Sequence, residues 1–246
     1  MVYEVKDDQI PFYKQYVSLA IIAICCIVMA LQYLDYFFWT GTMLINFAFV
    51  PSTLIRGEPI SILTMFTSMF MHGDIVHLIM NMWFFYVVAD NCEKALGHIG
   101  FLLTYLASGL FATFLHTITS IIAGMVIFNA GGSALYNALP ILDIPTLGAS
   151  GAIFGIIGVY GIVFPKTKLA VLASPLTGSS KVSKTIDASV FVILYIIAEI
   201  SYGIYGILAP FGAGNTAHFA HVGGFIIGAV VAYIYVWRKE TKGKKK

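Results

Sequence analysis

Charged side chains are scarce in this sequence. They make up 11% of the 246 residues, where a soluble domain carries about 25%. Water cannot be the main solvent of a surface so poorly charged, which excludes an ordinary soluble enzyme and a nucleic-acid-binding domain. Cysteine is also rare and badly spaced for a disulfide framework. Cys25 and Cys26 are adjacent within an apolar run and Cys92 stands alone, as small buried hydrophobes do. There is no internal repeat. No His-Glu-x-x-His zinc motif and no Gly-x-Gly-Asp motif is present, and no small-residue cleavage site closes the first apolar run.

What the chain has instead is hydrophobic residues, 59% of the total and gathered in long blocks. A membrane-crossing helix needs about 20 apolar residues. The blocks predict six spans, at about 17–34, 74–91, 99–122, 149–165, 186–208 and 217–237. The fold expected is therefore all-α, a polytopic bundle of six transmembrane helices over 17–237. It is flanked by an N-terminal segment, 1–16, and a basic tail, 238–246.

The few charges are placed unevenly. With the N-terminus in the cytoplasm, the inside segments are 1–16, 92–98, 166–185 and 238–246. They hold 13 of the 14 Lys and Arg residues, leaving only Arg56 outside. This asymmetry predicts a multi-pass cell-membrane protein with both termini cytoplasmic. The lysine-rich tail reads as an orientation signal attracted to anionic lipid headgroups rather than as a nucleic-acid patch. The outer stretch from Asp35 to Gly73 is rich in aromatic rings, including Tyr36, Phe37, Phe38 and Trp39, and is expected at the outer leaflet as a small interfacial helix packed on the bundle.

Polar residues inside spans are costly and call for a reason. Spans two, four and six all enter from the outer side, and each carries its unusual polar group in its first turns. His77 and Asn81 are four apart and share a helical face, Ser150 opens span four, and His221 lies about one turn into span six. At 1.5 Å of rise per residue all four lie roughly 5–10 Å below the outer helix ends. A serine hydroxyl needs a positioned base, and a histidine suits that work. Amide hydrolysis also needs donors aimed at the developing oxyanion. A helix N-terminus at Ser150 and the side chains of His77 and Asn81 supply them. The sequence shows no third acidic residue for the site. Gly151, Gly155 and Gly158 on span four, and Gly224 and Gly228 on span six, allow the close helix approach that a Ser–His pair needs.

These residues resemble the rhomboid family of intramembrane serine proteases. Gly148-Ala149-Ser150-Gly151 is similar to its Gly-x-Ser-Gly motif, and Ala220 to Gly228 to its Ala-His-x-x-Gly-x-x-x-Gly motif. His72, His77 and Asn81 fit His-x-x-x-x-His-x-x-x-Asn, and Glu93-Lys94-Ala95-Leu96-Gly97 looks like the turn after the second helix. The resemblance implies an endopeptidase that needs no cofactor and cuts transmembrane protein substrates near the outer face. It implies a catalytic dyad of Ser150 and His221, with oxyanion donors from His77, Asn81 and the Ser150 N–H. It further implies a mobile substrate entry formed by the fifth helix and the loop after it. Two positions depart from the pattern. Leu63-Thr64 stands where many members carry Trp-Arg, and Phe154 stands where a tyrosine often stacks on the catalytic histidine.

Two other readings compete. A metal or proton transporter would use His72, His77, His218 and His221, and a catalytically inactive relative would bind membrane clients. His218 is expected to cap its helix or face the outer loop, His98 and His116 to be structural, and the Glu199 carboxyl to be protonated and bonded to another helix.

Overall fold

A computed structural model describes residues 2–4, 14–38, 41–127, 141–172, 182–208 and 216–243. Helix dominates. The long apolar helices are α1 (Tyr16–Phe37), α5 (Ile75–Ile127), α7 (Ala188–Leu208) and α8 (His218–Gly243), each long and apolar enough to cross a membrane. Three short helices, α2 (Thr42–Phe47), α3 (Pro51–Ile55) and α4 (Ile60–Thr67), fill the stretch between α1 and α5, where one interfacial helix was expected. The helix α6 (Ser150–Val163) has only 14 residues. It is about 21 Å long, against a hydrocarbon core of about 30 Å. The belt of exposed side chains on these helices is apolar: Ile27 and Leu31 on α1, Ile193, Leu194 and Ile197 on α7. Such a surface suits lipid and not water. This is a membrane protein.

The 53 residues of α5 are not one rod. At Gly97 the backbone leaves the helix, with φ 71° and ψ 160°, a conformation that costs glycine little. The second and third expected spans are the two arms on either side of this break. One turn before it, Glu93 is buried and reaches across to the start of α1. Its carboxylate accepts hydrogen bonds from Val17 N (2.9 Å), Ser18 N (2.9 Å) and Ser18 Oγ (2.7 Å), and pairs with His98 Nδ1 at 2.6 Å. The first N–H groups of a helix have no intrahelical acceptor, so a carboxylate there satisfies them and complements the helix dipole. The Glu93-to-Gly97 motif thus turns the chain and caps a helix distant in sequence. His98, expected to be structural, is part of that cap.

Three short strands were not anticipated by an all-α reading. β1 (Val2–Glu4), β2 (Lys168–Leu172) and β3 (Val182–Asp187) form an antiparallel sheet in that order, with Tyr3 opposite Ala170 and Lys168 opposite Asp187. Lys168 and Asp187 form an ion pair. An open sheet cannot lie across lipid. β1 therefore lies outside the bilayer core together with the two strands between α6 and α7. At the far end, α8 continues as helix through Arg238 to Gly243, past the boundary expected at 237.

Glycine brings α6 and α8 together. A Cβ on Gly224 would collide with the Gly151 carbonyl oxygen, and one on Gly228 with that of Gly155. On the α5 side, a Cβ on Gly151 would lie 2.5 Å from Ala112 Cβ, and one on Gly223 would lie 3.0 Å from the Phe111 carbonyl oxygen. Three helices therefore meet with backbone almost against backbone, as the spacing of small residues predicted.

Candidate active site

The site lies where α5, α6, α7 and α8 meet. Asp74 precedes α5 and caps it, its Oδ1 accepting from His77 N at 2.8 Å. Just before it, the backbone of His72 is held by Gln32 of α1. Gln32 Nε2 donates to the His72 carbonyl at 2.9 Å, and His72 N donates to Gln32 Oε1 at 3.1 Å. The His72 ring is buried edge-on to His77, with centroids 5.2 Å apart. Burial drives its imidazole down to about 4, so the ring is neutral at physiological pH.

The segment leading into α6 is pinned from several sides. Gly148 N donates to the Ser68 carbonyl at 2.9 Å, and Thr146 pairs with Phe49 as an antiparallel bridge. Thr146 Oγ1 also lies 3.1 Å from His116 Nε2, which gives His116 the structural role expected of it. Asp143 accepts from Ser52 Oγ at 2.5 Å and lies 3.7 Å from Arg56. These ties join the outer stretch to the segment before α6 in a chain that carries Leu63-Thr64 rather than Trp-Arg. At Gly148 φ is 133°, and a Cβ there would lie 3.0 Å from His77 Cε1 and 3.8 Å from Ser150 Oγ. Only glycine serves at that position, because the backbone passes closely between the histidine ring and the serine.

Ser150 is the first residue of α6. One turn later, the Phe154 ring lies flat on the His221 ring, centroids 4.2 Å apart and planes within 5°. Phenylalanine thus stacks where a tyrosine is common. His221 is buried on α8, and its Nδ1 is 2.8 Å from Glu199 Oε2. Asn81 Nδ2 is buried and has no hydrogen-bond partner among the described residues. Gly148 thus lies close to both His77 and Ser150, and Phe154 and Glu199 both contact His221.

Glu199 is where the structure departs from the sequence reading. The expectation of no third acidic residue at the site is corrected. The Glu199 carboxylate is buried on α7 and contacts both histidines of α8, with His218 Nδ1 at 2.7 Å from the same Oε2. His218 is the first residue of α8, and most of the loop before it, 209–215, lies outside the described residues. The His218 ring is stacked beside Tyr202, centroids 5.4 Å apart, and holds Glu199. The expected bond from Glu199 to another helix exists, and its partners are these two rings. One ligand atom from each of Glu199, His218 and His221 lies within 4.8 Å of the others, so these three could hold a metal ion.

Residues 59–238 match the family model of the Rhomboid domain, well over half of the chain. The chain belongs to the rhomboid family. Similar rhomboid relatives include Rhomboid protein 1, mitochondrial, of Saccharomyces cerevisiae, 27% identical over 181 residues that cover 73% of this chain and 43% of the relative. RHOMBOID-like protein 4 of Arabidopsis thaliana is 27% identical over 179 residues, 70% of this chain and 35% of the relative. Presenilin-associated rhomboid-like protein A, mitochondrial, of Danio rerio is 25% identical over 180 residues, 72% and 39%. The chain spans about two fifths of the length of these relatives. What the comparison carries over is the rhomboid core. Its matched region begins in the outer stretch and ends within α8, so it takes in His72, His77, Asn81, Ser150, Glu199, His218 and His221.

Proposed function

We propose that this rhomboid is an intramembrane serine endopeptidase that cuts transmembrane segments of other membrane proteins near the outer face. Ser150 Oγ attacks the scissile carbonyl, and its proton passes to His221 Nε2. The tetrahedral oxyanion takes hydrogen bonds from the Ser150 N–H, His77 and Asn81. Its collapse breaks the C–N bond, with the His221 proton going to the leaving amine, and water then hydrolyses the acyl-enzyme ester. The observation that carries this reading is the His221 ring fixed face to face on Phe154, one turn from Ser150 at the start of α6. Asn81 supports it with a buried amide donor that has no other partner among the described residues.

In this proposal both termini face the cytoplasm and six helical segments cross the bilayer, the two arms of α5 counted separately. The sheet that joins 2–4 to 168–187 agrees with that count, since four crossings separate these segments. Short α6 sets Ser150 below the outer surface, where water reaches it from outside.

Labelling with a fluorophosphonate tests the assignment. Wild type takes the label covalently and Ser150→Ala does not, while both fold. Asn81→Ala lowers kcat by about 100-fold or less and leaves KM little changed, because the lost donor acts on charge present only in the transition state. If Ser150→Ala cleaves a transmembrane substrate at the wild-type rate, the protease reading is wrong.

A further inference from the structure

We propose that Glu199 is the positioning residue of His221, so that the site is a Ser150–His221–Glu199 triad whose third member is carried on α7. The inference rests on the protease reading above and goes beyond its two-residue dyad.

The geometry is specific. Glu199 meets His221 at Nδ1, 2.8 Å away, and leaves Nε2 as the ring's free nitrogen. A carboxylate accepting from Nδ1–H selects the tautomer whose Nε2 lone pair can take the serine proton, and it stabilises the imidazolium that results. Two more contacts make the arrangement rigid. Phe154 sets the plane of the His221 ring at 4.2 Å. His218, 2.7 Å from the same carboxylate oxygen and stacked beside Tyr202, sets the position of the carboxylate. Glu199 is 6% exposed, so its charge has been taken out of water. A buried carboxylate is retained only where it is well bonded, and here both bonds go to imidazole. A residue needed only to tie two helices would serve as well bonded to either ring and to either nitrogen.

The placement has a consequence for access. The base is on α8, which is seated backbone to backbone on α6, whereas its partner is on α7. Any displacement of α7 that admits a substrate also withdraws the carboxylate from His221. The base is then fully positioned only when α7 is seated.

The test uses the full chain, purified in detergent and reconstituted in liposomes. Fluorophosphonate labelling and the kcat and KM for a fluorogenic transmembrane peptide are measured beside Tm. Glu199→Gln is expected to lower kcat about 100-fold or more, with KM within about twofold and Tm within a few degrees, because an amide can present its NH2 to Nδ1 and select the wrong tautomer. Glu199→Asp is expected to regain at least about tenfold of that loss. Selectively 15N-labelled histidine in wild type provides a readout that needs no Glu199 variant. His221, assigned through His221→Asn, should carry its proton on Nδ1 at neutral pH. An Nε2–H tautomer overturns the proposal, as does a folded Glu199→Gln with wild-type kcat. Stoichiometric zinc in wild type that Glu199→Gln loses would assign the three side chains to a metal instead. Failure of the protease reading looks different, since Ser150→Ala would then match wild type in labelling. A wild type that labels at Ser150 beside an unaffected Glu199→Gln sinks only the triad.

Discussion

The helix that carries His221 and the helix that carries Glu199 are held in opposite ways. α8 meets α6 through backbone, with Gly224 and Gly228 set against the carbonyls of Gly151 and Gly155. α7 meets its neighbours through side chains: Phe191 and Tyr195 on Phe84, Tyr195 on Phe154, Gly203 beneath the Phe219 ring, and Glu199 on two histidines. Backbone contacts cannot adjust without moving whole helices, whereas rings and carboxylates can rotate away. Ser150 and His221, the proposed nucleophile and base, thus sit on a stiff seam, and Glu199 sits on a helix held through side chains.

The sharpest break of that contrast is an added methyl on each helix. Gly224→Ala places Cβ against the Gly151 carbonyl, which belongs to the backbone and cannot turn aside. We expect a loss of about 3 kcal/mol, the upper end for overpacking, with little folded protein recovered. Gly100→Ala is the control. Its Cβ would meet only Leu96 Cβ at 3.4 Å, and alanine suits a helix better than glycine, so stability should hold or rise slightly. Thermal unfolding of both variants in one detergent decides it. A stable Gly224→Ala would mean that the seam is not stiff.

The seam was legible in the sequence because its cause is local. Glycines four apart on a helix share a face whatever the helix meets, and the apolar blocks set the helix ends to within a few residues at α1, α7 and the start of α8. His77, Asn81, Ser150 and His221 stood out because each is a polar group within an apolar run. The partner of Glu199 was not legible for the opposite reason. His218 and His221 lie 19 and 22 residues away on another helix. Which face of α7 turns toward α8 follows from the packing of rings on both, and no periodicity encodes that rotation. The small sheet escaped notice because three-to-six-residue strands carry little pattern and β1 pairs with residues more than 160 positions away. The basic residues of the connection between α6 and α7 read as a loop, and two of them lie in strands.

A smaller effect is expected on α7. A Cβ on Gly203 would lie 2.8 Å from Phe219 Cε2, but that atom is the edge of a ring that can swing. Gly203→Ala should cost about 1 kcal/mol or less, partly offset by the better helix propensity of alanine. Activity should fall by more than stability does, because a slight outward shift of α7 carries Glu199 from His221. Parallel measurement of kcat and Tm separates the two. Equal proportional losses, or a collapse like that of Gly224→Ala, would place α7 on the same footing as α8.

The smallest effect concerns pH. The glycine seam has no titratable group, whereas the side-chain ties around the site include one at His72 that is buried beside His77 and near Asp74. In the folded protein the His72 ring takes a proton only at about 4, while the unfolded chain takes it near the ordinary value of 6.5. Between these two values the unfolded state binds more protons, so stability must fall as pH falls through that window and be unaffected above it. Integrated from pH 7 to pH 5, one such group contributes roughly 2 kcal/mol at most. His72→Leu removes the group without adding a charge. Its Tm should therefore drop less than that of wild type over the same acid interval, and the two should run parallel above pH 7. Parallel curves across the whole range would mean that His72 takes up its proton in the fold as readily as in the open chain. In that case its environment is wetter than its burial between Gln32 and His77 implies.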